Sequence, residues 1–300
     1  MKVLERVIPY RSRSAEFRLY PLADPHLGAR ACDEPRLDRA LDEIDADPNG
    51  LWLGLGDYCE FINIHDPRWS LESIPRWLCD RWHDNPKVGI ATLQRDELAR
   101  RIKSRKTLSR KLLAWVQGNH EEAIIRHAEV DSYIGLLEQI RPDAERKLAV
   151  GTSGLLVLRF TRMTGKDEAP SSGNTWTLTI YLHHGFGGGD LMGGTALKLE
   201  REMARFAADL YLMGHVHKVQ ALTLSRPITL DKELRLVQPP DALGAYCGTY
   251  LRGRVSGADT YGEAKGYRPS PASTDVVVRI RPDKGEYELV TRNSGRETAL

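Results

Sequence analysis

The sequence predicts an α/β protein, a four-layer α/β/β/α sandwich of two packed mixed sheets with flanking helices. Three observations predict it. Short apolar or alternating runs bounded by turn formers alternate with helical patterns over the first two thirds of the chain, which argues for a mainly parallel sheet there. Past residue 218 the pattern turns β-rich without an intervening Pro/Gly/Ser linker, so residues 1–300 read as one domain. In that reading 16–218 carry the motifs and 219–292 complete the sandwich. A chain of 300 residues, 41% hydrophobic and 28% charged, can bury a core of that size.

The elements follow from local pattern. Strands are predicted at Phe17 to Leu22, Leu51 to Leu55, Leu113 to Gln117, Leu155 to Phe160, Trp176 to His183 and Leu210 to Met213. Helical patterns lie between them at Pro35 to Ala46, Arg95 to Lys111, Glu121 to Ala128, Ser132 to Ile140 and Thr195 to Ala208. After residue 218, VQALTLS, LRLVQ, GAYCGTYL, DVVVRI and YELVTR read as strands joined by Gly and Pro turns. Thr164 to Asn174 and Arg252 to Ala272 read as polar, Gly-containing loops.

Bulk composition excludes several classes. With 43 basic and 41 acidic residues the net charge is +2, so no global charge demands a polyanionic partner. Cys32, Cys59, Cys79 and Cys247 form no C-x-x-C pair, which argues against a zinc knuckle or disulfide framework and fits a reducing cytoplasm. The stretch MKVLERVIPYRSRSAEF lacks the apolar core of a signal peptide, and no run of 18 apolar residues occurs. The expectation is a cytoplasmic protein with no membrane partner.

The chemistry sits at strand ends, where open α/β sheets bind ligands. Five predicted strands end in succession on Asp24-x-His26, Gly56-Asp57, Asn119-His120, His183-His184-Gly185 and His215-x-His217. Six of the nine histidines occupy these ends. One Asp or His after a strand is commonly a cap or turn residue; five such ends in a row are not explained that way. Two Asp, one Asn and four or five His form a mixed N/O donor set suited to Mn, Fe, Zn or Ni rather than Ca or Mg.

The ordered set Asp24-Pro25-His26, Gly56-Asp57-Tyr58-Cys59-Glu60, Gly118-Asn119-His120-Glu121, His184-Gly185 and Gly214-His215-Val216-His217 resembles the calcineurin-like metallophosphoesterases. The Asp24 to Gly28 wording resembles their repair-exonuclease branch, and the short chain is similar to phosphoesterases of phage and prophage genomes. The resemblance implies a dinuclear centre of two divalent transition-metal ions, manganese foremost, on the sandwich rim. Asp24, His26 and His217 would hold one ion, Asn119, His184 and His215 the other, and Asp57 would bridge. Such a pair lowers the pKa of a shared water and clamps phosphoryl oxygens for in-line displacement. The family motif assigns His120 as general acid or transition-state donor. Glu121 could orient that imidazole or simply favour the helix N-terminus. Glu60 stands where Asp is commoner in the family. Of His183 and His184 the second is favoured, because the family's ligand commonly precedes Gly and neighbouring strand residues point to opposite faces.

Three further stretches bear on substrate. HHGFGGGDLMGG could offer backbone N–H groups to a phosphate, or be a turn. Arg95 to Lys111 has eight Lys/Arg against two acids and could track a nucleic-acid backbone, or be a solvated face. Arg252 to Pro269 mixes Arg252, Arg254, Lys265 and Arg268 with Tyr261 and Tyr267, a composition suited to stacking on bases. The expected function is a phosphodiesterase or nuclease acting on DNA, RNA or nucleotides. The alternatives are a small-molecule phosphomonoesterase or cyclic-nucleotide phosphodiesterase and, from another class, a catalytically silent scaffold; the intact donor set argues against the last.

Overall fold

Apolar residues at alternate positions of the central strands turn one face of each sheet toward the other, and that alternation stacks the layers. The computed structural model describes residues 1–66, 69–163, 175–188, 191–255, 274–293 and 296–299. The strands are β1 (Lys2–Tyr10), β2 (Phe17–Leu22), β3 (Gly50–Gly54), β4 (Leu112–Val116), β5 (Ala149–Gly151), β6 (Ser153–Arg162), β7 (Thr175–His183), β8 (Leu210–Met213) and β9 (Val219–Leu224). They continue as β10 (Thr229–Leu230), β11 (Leu236–Val237), β12 (Ala242–Cys247), β13 (Thr274–Arg281), β14 (Glu286–Asn293) and β15 (Arg296–Ala299). The helices are α1 (Glu34–Ala46), α2 (Arg76–Asp84), α3 (Ile90–Lys103), α4 (Asn119–Ala128), α5 (Ser132–Ile140), α6 (Glu145–Leu148) and α7 (Met192–Arg205).

One sheet has the order β1-β6-β7-β8-β12-β9 and the other β15-β14-β13-β2-β3-β4-β5. Both are mixed: β2, β3, β4 and β5 run parallel, while β13 pairs with β2 antiparallel. Leu19, Leu53, Leu113, Leu156, Leu158, Ile180, Leu212 and Val278 fill the space between the sheets. The outer face of the second sheet is covered by Leu37 and Leu41 of α1, Leu98 and Ile102 of α3 and Leu136 and Leu137 of α5. Leu199 and Met203 of α7 cover the outer face of the first, against Tyr181, Tyr211 and Tyr246. This is the α/β/β/α sandwich expected from the sequence.

The details differ from expectation in places. The helix expected at Arg95 to Lys111 runs Ile90–Lys103, followed by a separate single turn at Leu108–Lys111. Its buried face begins with Ile90, Ala91 and Gln94, before the basic run that drew the expected boundary. β1 and α2 were not foreseen: β1 is an edge strand with exposed alternate residues, and α2 fully buries only Leu78. The expected loop Thr164 to Asn174 lies outside the described residues, as does Arg252 to Ala272 beyond residue 255. Among the described residues no helix is long and apolar enough to cross a membrane.

Candidate metal centre

Each strand that was expected to end in chemistry does so at the same edge of the sandwich. β2 leads to Asp24 and His26, β3 to Asp57, β4 to Asn119 and His120, β7 to His184, and β8 to His215 and His217. Backbone bonds lash these ends together. Asp24 N–H donates to Gly56 O, His26 N–H to Asp57 O and Gly214 N–H to His184 O. The Asp24 carbonyl accepts from Tyr250 N–H and from Thr249 Oγ1 at 2.9 Å.

Three groups of donors result, one of them His26, Glu60 and His120. In the other two, Asp24, His26 and His217 bring one atom each within 4.8 Å of one another, and so do Asp57, His184 and His215. Asn119 Oδ1 joins the last of these, 2.9 Å from His184 Nε2 and 2.7 Å from His215 Nδ1. Asp57 Oδ2 lies between those two groups, 3.3 Å from His184 Nε2 and 3.8 Å from His26 Nε2. All seven residues named from the sequence are therefore brought together, with His120 beside them at a ring distance of 4.7 Å from His26. His183 is not among them: its Nδ1 accepts Gly185 N–H at 2.6 Å.

Whether these residues fit metal ions can be judged on their own chemistry. Imidazole nitrogens approach one another at 3.1 Å (His26 Nε2, His217 Nε2) and 3.3 Å (His215 Nδ1, His184 Nε2), so four ring nitrogens converge on one space. Asp24 and Asp57 are 0% and 2% exposed, and among the described residues they pair only with histidines. Buried carboxylates are costly unless compensated, and coordination of a cation is one such compensation. Asp24, His26, Asp57, His215 and His217 also have positive φ, from 48° to 71°, five of eight such non-glycine residues among those described. Backbone strain of this kind collects at ligand clamps. The set fits divalent ions of the borderline N/O-binding type.

Further contacts fix ring orientations, as they do around metal ligands generally. His184 Nδ1–H donates to Leu55 O at 2.8 Å and His26 Nδ1–H to Glu60 Oε2 at 2.8 Å, leaving Nε2 of each directed inward. Asp24 accepts His215 N–H on both oxygens, and Asp57 Oδ1 accepts His120 N–H at 2.9 Å. Burial alone would raise the Asp57 carboxyl, but the nearby charges of His120, His184 and His26 hold it well below the usual carboxylate range. Burial opposes the charged form of His184, yet the Asp57 carboxylate wins and pushes it up to about 10. Burial and the His184 charge together lower His215 to about 4.

Two glutamates do what the motif alone did not reveal. Glu121, 0% exposed, does not serve the His120 imidazole, which donates Nδ1–H to Glu60 O at 2.5 Å. Instead its carboxylate accepts Gly118 N–H at 2.8 Å, Asp57 N–H at 2.9 Å and Tyr58 N–H at 2.8 Å. The first of these is the return half of a capping box at the start of α4. Burial and the Asp57 charge push Glu121 up to about 7.

Part of the basic run is paired within the molecule, while Lys103, Lys106 and Arg110 remain exposed. Glu97 accepts from Arg81, Arg100 and Arg101, and Arg101 and Arg105 also pair with Glu34, Asp38 and Asp42 of α1. Lys111 Nζ donates to the carbonyls of Ile44, Asp45 and Asp47. In the glycine-rich stretch, Gly185 N–H is taken by His183 and Gly188 O by Lys198; residues 189 and 190 lie outside the described set. The basic and aromatic loop lies outside it from residue 256 to 273.

A mixed α/β/β/α sandwich whose strand ends gather two Asp, one Asn and four His into adjoining groups is the arrangement that the resemblance of the sequence motifs implies. No family model matches the chain, and no curated protein does. Among solved structures it is similar to a predicted phosphoesterase of Streptococcus pneumoniae, with 12% identity, 95% of this chain and 98% of that one covered, and a TM-score of 0.38. It is similar also to Vps29 of Chaetomium thermophilum (12% identity, 95% of each chain, TM-score 0.40). A third is the nuclease MPE of Pseudomonas putida (16% identity, 94% and 87% covered, TM-score 0.31). At TM-scores below 0.5 these likenesses carry no argument about the chain's family or role.

Proposed function

We propose that the protein is a dinuclear metal-dependent phosphoester hydrolase, a phosphodiesterase or nuclease acting on nucleic acid or nucleotides. The observation that carries this reading is the placement of Asp57 between two donor groups with His120 alongside. Two divalent ions, manganese first, would supply an activated water and positive charge for the phosphoryl oxygens. In this reading Asp24, His26 and His217 hold one ion, Asn119, His184 and His215 hold the other, and Asp57 is shared.

The chain's own part is to orient these donors and to manage a proton. His120 is 8% exposed, and its Nδ1–H is committed to Glu60 O. Proton transfer to a leaving alkoxide therefore falls to His120 Nε2. Arg101 and Arg105 are engaged by acids of α1, which leaves Lys103, Lys106 and Arg110 among the exposed cations of the run.

The test is a panel of single-stranded, double-stranded and cyclic phosphodiesters with added Mn²⁺, alongside bis-p-nitrophenyl phosphate and p-nitrophenyl phosphate. Diester turnover that disappears on chelation is expected. Preference for the monoester would favour a phosphomonoesterase, and absence of both metal uptake and turnover would leave the scaffold reading. His120→Ala should lower kcat by about 10²–10⁴ with metal still bound; unchanged turnover removes His120 from the mechanism.

A further inference from the structure

We propose that Glu60 is a positioning residue acting through two different atoms: its carboxylate orients His26, and its main-chain carbonyl orients His120. The side chain therefore governs how tightly the Asp24–His26–His217 group holds its ion, while the proton donor depends on the backbone alone. The inference rests on the metallohydrolase reading above and adds to it a division of labour that the motif does not state.

The Glu60 carboxylate lies within 4.8 Å of donor atoms of both His26 and His120, and it is the hydrogen bonds that separate the two tasks. Glu60 Oε2 lies 2.8 Å from His26 Nδ1, so the ring is held with Nδ1 protonated and the Nε2 pair directed at His217 Nε2, 3.1 Å away. Glu60 O lies 2.5 Å from His120 Nδ1. That carbonyl is fixed without help from the side chain. Glu60 N–H donates to Leu27 O, Leu27 N–H to Tyr58 O, and the following Phe61 N–H to Gln94 Oε1 at 2.8 Å. Leu27 and Cys59 are bridged as neighbouring extended segments. A change at the Glu60 side chain thus leaves the His120 anchor in place.

Length explains why glutamate stands here. An aspartate carboxylate would sit about 1.5 Å further back, one carbon–carbon bond, and would fall outside hydrogen-bond range of His26 Nδ1. His26 is 2% exposed, so no bulk water replaces the missing acceptor. Loss of an outer partner of a ligating histidine typically weakens metal binding by about 10–100-fold.

The experiment uses the full chain, its Glu60→Gln and Glu60→Asp variants, and Mn²⁺ as the metal. Calorimetric titration of metal-free protein should show one ion bound about 10–100-fold more weakly in both variants. At saturating Mn²⁺ kcat on bis-p-nitrophenyl phosphate should return to within about threefold of the parent, the mark of an intact proton donor. Unchanged affinity with kcat lowered tenfold or more at saturation would mean that the carboxylate serves His120, and the proposal fails. Loss of one ion that no Mn²⁺ concentration restores would make Glu60 a ligand itself, which also overturns it. Imidazole ¹⁵N spectra of the metal-free parent decide independently of variant folding and of catalysis: His26 protonated on Nδ1 is required, and protonation on Nε2 alone refutes the proposal. A parent that shows the Nδ1 form yet binds no metal sinks the hydrolase reading and leaves the His26–Glu60 pairing standing.

Discussion

Replacing Glu121 by alanine should destabilise the metal-free protein substantially, and the size of the effect can be worked out. The carboxylate is fully buried and satisfies three backbone donors, the N–H groups of Gly118, Asp57 and Tyr58, at 2.8–2.9 Å. Each buried N–H left without a partner costs about 1–3 kcal/mol, so the loss is about 3–9 kcal/mol. Relief works the other way. Burial and Asp57 raise Glu121 from 4.5 to about 7, so its charge is unfavourable in the fold, and removing it returns at most about 3 kcal/mol above pH 7. The bonds win, leaving a net cost of about 3 kcal/mol at the middle of that range, a large share of the 5–15 kcal/mol that typically holds a domain together. Urea unfolding in the presence of a chelator, followed by fluorescence and circular dichroism, measures it. A midpoint within about 0.5 kcal/mol of the parent would show that water enters and satisfies these donors, and the clasp argument would fail. Because Asp57 N–H is one of the three, Mn²⁺ affinity should drop alongside stability.

Three other outcomes follow from the same geometry. Gly214→Ala would place a Cβ 2.5 Å from Asp24 Oδ2, the oxygen that accepts His215 N–H, so weakened metal uptake with retained secondary structure is expected by calorimetry and circular dichroism. Asp57→Ala should lose metal occupancy together with rate, and a fully loaded variant measured by elemental analysis contradicts the bridging role. Glu97, 4% exposed, is held down at about 2 against burial by hydrogen bonds and charge from Arg100, Arg101 and Arg81. A depressed carboxyl stabilises the fold above its unfolded value of about 4.5 and loses that contribution as pH falls toward 2. The shift corresponds to at most ~3 kcal/mol, and the exposure of Arg81 (46%) and Arg100 (61%) screens it to about 1–2 kcal/mol. Parent and Glu97→Gln urea midpoints should therefore differ at pH 7, with the gap roughly halved by pH 3 and closing only toward pH 2; a constant gap refutes this.

The parts of the fold legible in the sequence are those where burial leaves a pattern. β4 reads as a strand because Leu112 to Val116 are all buried, and its end is marked by the abrupt return of polarity at Gly118-Asn119-His120. β1 escaped because an edge strand with alternate residues exposed tolerates Lys2, Glu5 and Arg6, whose charges mask the alternation. α2 escaped for the converse reason, having too narrow a buried stripe to set a helical period. At the site, which residues gather was legible because potential metal-binding residue types recur at successive strand ends. The partners of Glu60 and Glu121 were not, since a carboxylate accepting backbone N–H groups or a neighbouring imidazole imposes no residue pattern along the chain. The pairing of Arg101 and Arg105 was likewise hidden, because Glu34, Asp38 and Asp42 lie some 60 residues away in sequence and meet them only through the packing of α1 on α3.

The ligand backbones and the glutamates belong to one argument. Five donors sit in left-handed conformations that cost non-glycine residues about 1–2 kcal/mol each. That strain is opposed by bonds between loops rather than within them: Asp24 O to Thr249 and Tyr250, Asp57 O to His26, Asp24 carboxylate to His215 N–H, and Glu121 carboxylate to the N–H groups of Asp57 and Tyr58. Every one of these joins the end of one strand to the end of another. The donors are therefore held in their convergent arrangement by the sandwich itself, and the cost of assembling them is met on folding. A site prepared in this way can hold hard-to-bury carboxylates and imidazoles at short range while awaiting a cation, which is what pre-organisation for charge stabilisation requires.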